Sequence, residues 1–216
     1  MADRAVGIPI VKEGWPFVGG LAGAALLFGV MGWSIPAGVV GGFTLFTAWF
    51  FRNPSRTIPQ DPHAVVSSGD GKVIAIEEEF EPRYLKEKSI RVTVFLNVFD
   101  VHVNRMPCTG TVEGISYQPG QFLVASRPDA TLRNEQNAVM LKTAEGAKVL
   151  CVQVAGLIAR RIVCWVKQGE RVQRGERFGL IRFGSRMDTF LPLGSKIRVA
   201  VGDHVKGGET IVGELR

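Results

Sequence analysis

From Gly14 to Phe51 the chain carries no Asp, Glu, Lys, Arg or His, while the remainder has ordinary soluble polarity. That asymmetry argues for a membrane-associated N-terminus and a water-facing body. It divides into two apolar blocks, Trp15 to Trp33 and Ala37 to Phe51, around Ser34-Ile35-Pro36. Each block lies near the lower limit for a membrane-crossing helix, about 17 residues. The pattern predicts a helical hairpin over residues 1–51, with Trp15, Trp33 and Trp49 at interfacial depth. Eight glycines between Gly19 and Gly42 are expected to let the two helices approach closely. Lys12 precedes the hairpin, and Arg52 and Arg56 follow it. The positive-inside rule therefore puts both ends at the cytoplasmic face of the cell membrane. A cleaved signal peptide fits poorly, because the apolar stretch is too long and lacks a small-x-small exit. A buried core hairpin and a shallow re-entrant anchor are the competing readings.

Net charge is +6 and the isoelectric point near 9.5. A basic balance suits nucleic acid or anionic lipid. Here the basic residues are scattered, with no run of five and no interleaved aromatics, so the composition argues against nucleic acid. Cys108, Cys151 and Cys164 are odd in number, show no CxxC spacing and lie in apolar runs such as KVLCVQV. They read as small buried hydrophobes in a reducing compartment, and no metal site is expected.

The Pro-rich segment RNPSRTIPQDP, residues 52–62, reads as a linker to a body over residues 63–216. In that body, short β-branched runs (KVIAIEE, SIRVTVFLNV, TGTVEGISY, NAVMLKT, KVLCVQVAG, ARRIVCWV) recur at roughly ten-residue spacing between turn signals. The expected fold is mainly β, a barrel-sandwich-like domain with the N-terminal hydrophobic helical hairpin. A weak repeat closes the chain: Val166 to Ile181 and Val199 to Leu215 share the frame V-x-x-G-x-x-V-x-x-G-E followed by a short apolar strand. Biotinyl and lipoyl carriers use this turn grammar, but neither repeat has their lysine. Shared architecture without a swinging arm is the reading.

The bond Gly184–Ser185, inside IRFGSRMD, is the leading candidate to carry chemistry. A hydroxyl next to a glycine can attack the preceding carbonyl in an N→O acyl shift. β-Elimination of the resulting ester leaves dehydroalanine, which hydrolyses to a pyruvoyl group and ammonia. Such a step needs a strained peptide, an oxyanion donor and a base. Alone, Gly-Ser marks a turn, and Gly194–Ser195 repeats it. The segments DVHVNRMP (Asp100 to Pro107) and SSGDGKV (Ser67 to Val73) give the first site its weight.

Taken in order, these motifs resemble the short form of the phosphatidylserine decarboxylase family over roughly Arg52 to Glu214. The short form carries F-G-S-R-x-D where this chain has Phe183 to Asp188. The long form carries L-G-S-T, which Leu193–Ser195 imitates only superficially. The resemblance implies a proenzyme that splits between Gly184 and Ser185 into a large piece (1–184) and a small piece (185–216). The two would stay associated, with pyruvate formed from Ser185 as cofactor. It implies decarboxylation of phosphatidylserine to phosphatidylethanolamine through a Schiff base, at a membrane, with no nucleic acid involved; homo-oligomer formation stays open. The substrate's acyl chains stay in the bilayer, so the site is expected at headgroup height.

By the same resemblance, His102 handles protons near the pyruvoyl group, and Asp70 orients or charges the self-processing base. Arg105 stands where the long-form motif DYHRVHMP has its second histidine, which leaves the base for self-cleavage open. A guanidinium there could instead hold substrate phosphate or carboxylate. Arg133 and Asn134, within SRPDATLRNE (Ser126 to Glu135), are candidate substrate-binding residues, and YQPGQF (Tyr117 to Phe122) and AGLIARRI (Ala155 to Ile162) also match family segments. Two alternatives are another serine phospholipid such as archaetidylserine as substrate, and a non-enzymatic membrane-tethered barrel-sandwich adaptor.

Overall fold

The computed structural model describes residues 9–121, 133–156, 161–182 and 184–216. It comprises two compact units, Met1–Ser55 and Arg56–Arg216. In the first, a 3-10 turn (Lys12–Gly14) leads into α1 (Trp15–Val30), and α2 (Ser34–Phe50) packs against it. Pro16 sits in the first turn of α1, where its missing N–H costs nothing. Gly32, at φ 77°, supplies the left-handed residue that lets the chain reverse. Continuous helix over Lys12–Val30 is long and apolar enough to cross a membrane, whereas Ser34–Phe50 is shorter. Val11, Phe50 and Phe51 are buried at the base of the pair, whereas Leu26, Val30, Ile35 and Leu45 are all at least 70% exposed. The glycines differ from expectation. A Cβ added at Gly19, Gly20, Gly23, Gly29, Gly32, Gly38, Gly41 or Gly42 would meet nothing within 4 Å. Their small size is not used between α1 and α2, and they leave the outer face of the hairpin smooth.

The second unit is mainly β. Its described strands are β1 (Ala64–Val66), β2 (Gly71–Glu81), β3 (Glu87–Leu96), β4 (Val103–Arg105), β5 (Gly110–Gln118), β6 (Gln136–Lys142), β7 (Lys148–Ala155), β8 (Ile162–Cys164), β9 (Arg171–Val172), β10 (Arg177–Ile181), β11 (Ser185–Pro192), β12 (Lys196–Ile197), β13 (His204–Val205) and β14 (Ile211–Glu214). A curled eight-stranded sheet runs β13-β2-β3-β11-β7-β6-β5-β9. Two three-stranded sheets, β1-β14-β12 and β4-β10-β8, accompany it. From Arg56 the segment read as a linker belongs to this body, with Arg56 paired to Asp70 at 2.7 Å and Ile58 packed where Gly175 leaves room.

Strand alternation divides the large sheet into two buried faces. Val92, Val94, Leu96, Val139, Leu141, Val149, Cys151, Met187 and Leu191 form the main core. The intervening Ala138, Leu150, Val152, Val154 and Phe190 pack on the other side with Leu85. Central strand β11 is therefore buried from Ser185 to Leu191. The closing repeat becomes two equivalent corners. Gly169 and Gly175 in one copy, Gly202 and Gly208 in the other, all have positive φ, between 75° and 106°. Their short strands β9 and β13 cap opposite ends of the large sheet.

Gly71, at φ 150°, opens β2 against β3 so closely that an added Cβ would strike the Phe95 carbonyl. Gly71→Ala is expected to cost about 3–4 kcal/mol, because the strained angle and the clash cannot both be relieved without parting the strands. Urea unfolding of the two proteins measures it; a loss under 1 kcal/mol would contradict this packing.

Candidate active site

Ser185 is the first residue of β11, and β10 ends at Ile181, so Gly184–Ser185 lies in the crossing from a small sheet to the middle of the large one. Gly184 has φ 63°, a conformation that favours glycine, while an added Cβ would meet nothing within 4 Å. The glycine is there for its backbone angle rather than for space. Ser185 faces Leu96 of β3 and Ala155 of β7 across the ladders. It is fully buried, and its Oγ has no hydrogen-bond partner among the described residues. An unsatisfied buried hydroxyl costs about 1–3 kcal/mol, and such groups call for a functional explanation.

His102 is equally buried. Its Nδ1 lies 3.0 Å from the Asp100 carbonyl oxygen, and its Nε2 3.2 Å from the Gly184 amide nitrogen. A carbonyl can only accept, so Nδ1 carries the proton, and the Nε2 lone pair accepts the Gly184 N–H. A basic nitrogen is thus directed at the residue preceding the candidate nucleophile. Asn134 joins the same neighbourhood: its Nδ2 donates to the Ala155 carbonyl at 2.7 Å, and Ala155 is the strand partner of Ser185. Arg133 beside it is exposed, and its carbonyl accepts from the Gln121 amide at 2.7 Å. Phe122, residues 126–132 and residues 157–160 of the sequence motifs lie outside the described residues, as does Phe183.

Asp70 and Arg105 belong to a second cluster. Asp70 pairs with Arg56 and accepts the Gly207 amide at 2.8 Å. Arg56 also approaches Glu209, at 3.6 Å. Arg105 donates to the Gly175 carbonyl at 2.9 Å and fills the space beside Gly208. Burial and the neighbouring Arg56 and Arg177 depress its guanidinium to about 10. The structure therefore joins Gly184, Ser185 and His102, with Asn134 one bond behind Ala155, and groups Asp70 with Arg56, Glu209 and Arg105 within electrostatic reach of Asp100.

Burial holds the Asp70 carboxyl above its ordinary 3.8, in spite of Arg56 and the Gly207 amide. The folded state then binds this proton more tightly than the unfolded chain. Its stabilising effect is fully present below pH 3.8 and is lost as pH rises through the folded value. Urea titrations of wild type and Asp70→Asn should show the stability difference moving in the variant's favour as pH climbs from 3.8. A shift in the opposite direction would contradict the assignment.

Sequence reasoning passed over a run of buried amides beneath the site. Asn137 Nδ2 donates to Gln153 Oε1 at 2.9 Å, and Gln153 Nε2 donates to Asn104 Oδ1 at 2.8 Å. A lone glutamine inside KVLCVQVA, where both strand faces are buried, was the available signal. On the opposite face Arg186 and Asp188 form an ion pair at 2.7 Å, each at most 2% exposed. The cysteines are free, with Cys108 and Cys151 buried, and burial pushes the Cys151 thiol up to about 12.

A buried serine after a left-handed glycine, with a histidine lone pair on that glycine, in a mainly β body preceded by an apolar hairpin, defines a class that comparison makes specific. The family described as Phosphatidylserine decarboxylase matches residues 43–213. A phosphatidylserine decarboxylase proenzyme of Syntrophus aciditrophicus strain SB is 47% identical over 207 residues, covering 94% of this chain and 96% of the relative. Proteins of the same description from Nitrosomonas europaea and Geotalea uraniireducens strain Rf4 are also 47% identical, with at least 95% of each chain covered. The chain belongs to the phosphatidylserine decarboxylase family. It is an enzyme, and the adaptor alternative falls away.

Proposed function

We propose that this protein is a membrane-anchored decarboxylase of phosphatidylserine that activates itself by splitting between Gly184 and Ser185. The observation that carries the reading is the buried, unpartnered Ser185 Oγ beside a glycine whose amide is held by His102. Ser185 supplies the nucleophile and His102 Nε2 takes its proton, exchanging the Gly184 N–H for the hydroxyl. The chain around residue 185 suits a pyruvoyl group. Leu96 and Ala155 flank it with apolar atoms, and the open space about Gly184 lets the new carboxyl end withdraw. Once formed, that group supplies a ketone that captures the substrate amine and a sink for the electrons released with carbon dioxide.

His102 then holds the proton returned to the substrate's α-carbon. Asn134 fixes the Ala155 carbonyl beside residue 185, and exposed Arg133 offers a guanidinium to the headgroup phosphate. Arg105, bonded to Gly175, serves with Arg56 as counter-charge to Asp70 and Glu209. The apolar hairpin keeps the enzyme on the cytoplasmic face of the membrane that holds its substrate. After splitting, the small piece keeps its place, because β11 remains laddered to β3 and β7 along most of its length.

A denaturing gel of the purified protein should show pieces of about 20 and about 3.5 kDa, in proportion to the 23.5 kDa chain, that coelute under native conditions. Vesicles containing carboxyl-labelled phosphatidylserine should release labelled carbon dioxide. Release only from the serine ether lipid would transfer the assignment to archaetidylserine; no release from either would overturn it.

A further inference from the structure

The amide run beneath the site has a direction, and its last member ends unspent. Each link fixes the next: Asn137 gives an N–H to Gln153, so Gln153 must turn its own NH2 toward Asn104. Asn104 accepts through Oδ1, which leaves its Nδ2 facing the other way. That nitrogen is buried, in a residue with no exposed surface, and has no hydrogen-bond partner among the described residues. Leaving a buried NH2 unanswered costs about 1–3 kcal/mol, and here two further amides hold it in that orientation.

Its place in the fold says what it waits for. Asn104 is the middle residue of β4, two positions after His102, whose Nε2 accepts the Gly184 amide. Gln153, which orients Asn104, is two residues from Ala155 on β7, on the core face that also carries Ser185. Across that ladder, Ser185 and Gln153 are diagonal neighbours, about 7–8 Å apart and somewhat less at Cβ. Gly179, opposite Asn104, has no room for a Cβ, which would lie 2.4 Å from the Val163 carbonyl oxygen and 2.7 Å from the Gln153 amide nitrogen. An unpaired donor held by Gln153 and an unpaired hydroxyl therefore lie on the same face of the large sheet, and His102, two residues before the donor, is bonded to Gly184.

Resting on the self-splitting reading above, we propose that Asn104 is a catalytic residue of chain scission. Its Nδ2 donates to the Gly184 carbonyl oxygen as that oxygen becomes an anion, with Gln153 and Asn137 as positioning residues. In the step, the Ser185 Oγ–H proton passes to His102 Nε2 while Oγ bonds to the Gly184 carbonyl carbon. The carbonyl π pair moves onto oxygen, where Asn104 meets it. Collapse re-forms the carbonyl and breaks the C–N bond, and the Ser185 nitrogen takes the proton from His102. An ester results, with no other reactant consumed.

Freshly synthesised full-length chain is followed by denaturing gel over time, with hydroxylamine added to half of each sample to cut any ester formed. Asn104→Asp, which keeps the shape and replaces the donor with an acceptor, should split about 100-fold more slowly than wild type, the usual effect of losing one oxyanion donor. The uncut chain should resist hydroxylamine, showing that the ester never formed. Asn104→Ser, which keeps a donor, should recover part of the rate. Thermal unfolding in a Ser185→Ala background, where no chain can split, separates scission from folding. If Asn104→Asp has no folding transition there, Asn104→Ser against Asn104→Ala decides, the hydroxyl splitting faster. Splitting of a folded, donor-less variant at the wild-type rate, or an uncut variant chain that hydroxylamine cleaves, overturns the proposal. A wild-type chain that never splits would instead defeat the reading of self-activation, so the two failures are distinct.

Discussion

Ser185→Ala will yield a single 23.5 kDa band and no release of carbon dioxide from phosphatidylserine, although the protein folds as wild type does. The effect should be absolute rather than graded. Without Oγ there is no nucleophile for the acyl shift and no route to the ketone, so both processing and turnover vanish together. Folding should survive, because Oγ makes no hydrogen bond among the described residues and the β-carbon packs against Leu96 and Ala155 either way. Removing an unsatisfied buried hydroxyl is expected to raise stability, by about 1 kcal/mol. Ser195→Ala, in the turn between β11 and β12, should split normally, which separates the two Gly-Ser pairs. A Ser185→Ala chain that still divides at residue 184 would remove the nucleophile from the account.

His102→Gln is the second large effect. General-base assistance is worth about 10²–10⁴-fold, so the variant should accumulate whole chain over periods in which wild type is fully split. Glutamine preserves size and a polar end but offers no basic lone pair to Ser185. The histidine also does structural duty, accepting the Gly184 amide and donating to the Asp100 carbonyl, and both contacts help fix the turn. Thermal unfolding in the Ser185→Ala background therefore belongs with the rate measurement. Wild-type splitting by His102→Gln would assign the proton to another group.

The hairpin was readable because exclusion of every charge from Gly14 to Phe51 is a pattern no soluble loop needs, and the β body because alternation and turns repeat so regularly. The four repeat glycines were legible for the same reason: only a left-handed corner demands glycine at both places in both copies. Gly184, Ser185 and His102 could be picked out as motifs, yet their meeting depends on β4 and β11 being brought together through β10, which spacing alone does not reveal. Arg56 shows a different limit. In sequence it reads as a basic residue flanking the hairpin, whereas in the fold it pairs with Asp70, fourteen residues away.

The amides Asn104, Asn137 and Gln153 were invisible for a plainer reason. Each is an ordinary polar residue in a β-rich stretch, and only the register of β6 against β7 with β4 packed over them turns three solitary groups into one oriented chain. Arg186 and Asp188 were likewise read as part of a motif, with no expectation that they would be buried. A strand covered on both faces forces its charged residues to pair, and that coverage is a tertiary fact. Slipping β11 by one residue would drive both charges onto the face of the main core, so the pair also guards the register of this strand.

Intact mass measurement of the small piece released by denaturant tests the central claim most directly. The expected fragment begins at residue 185 with a mass below that of the serine-headed peptide by one ammonia, and the large piece ends in an ordinary carboxyl at Gly184. A full-length chain with unmodified serine at position 185 in a preparation that decarboxylates phosphatidylserine would contradict it.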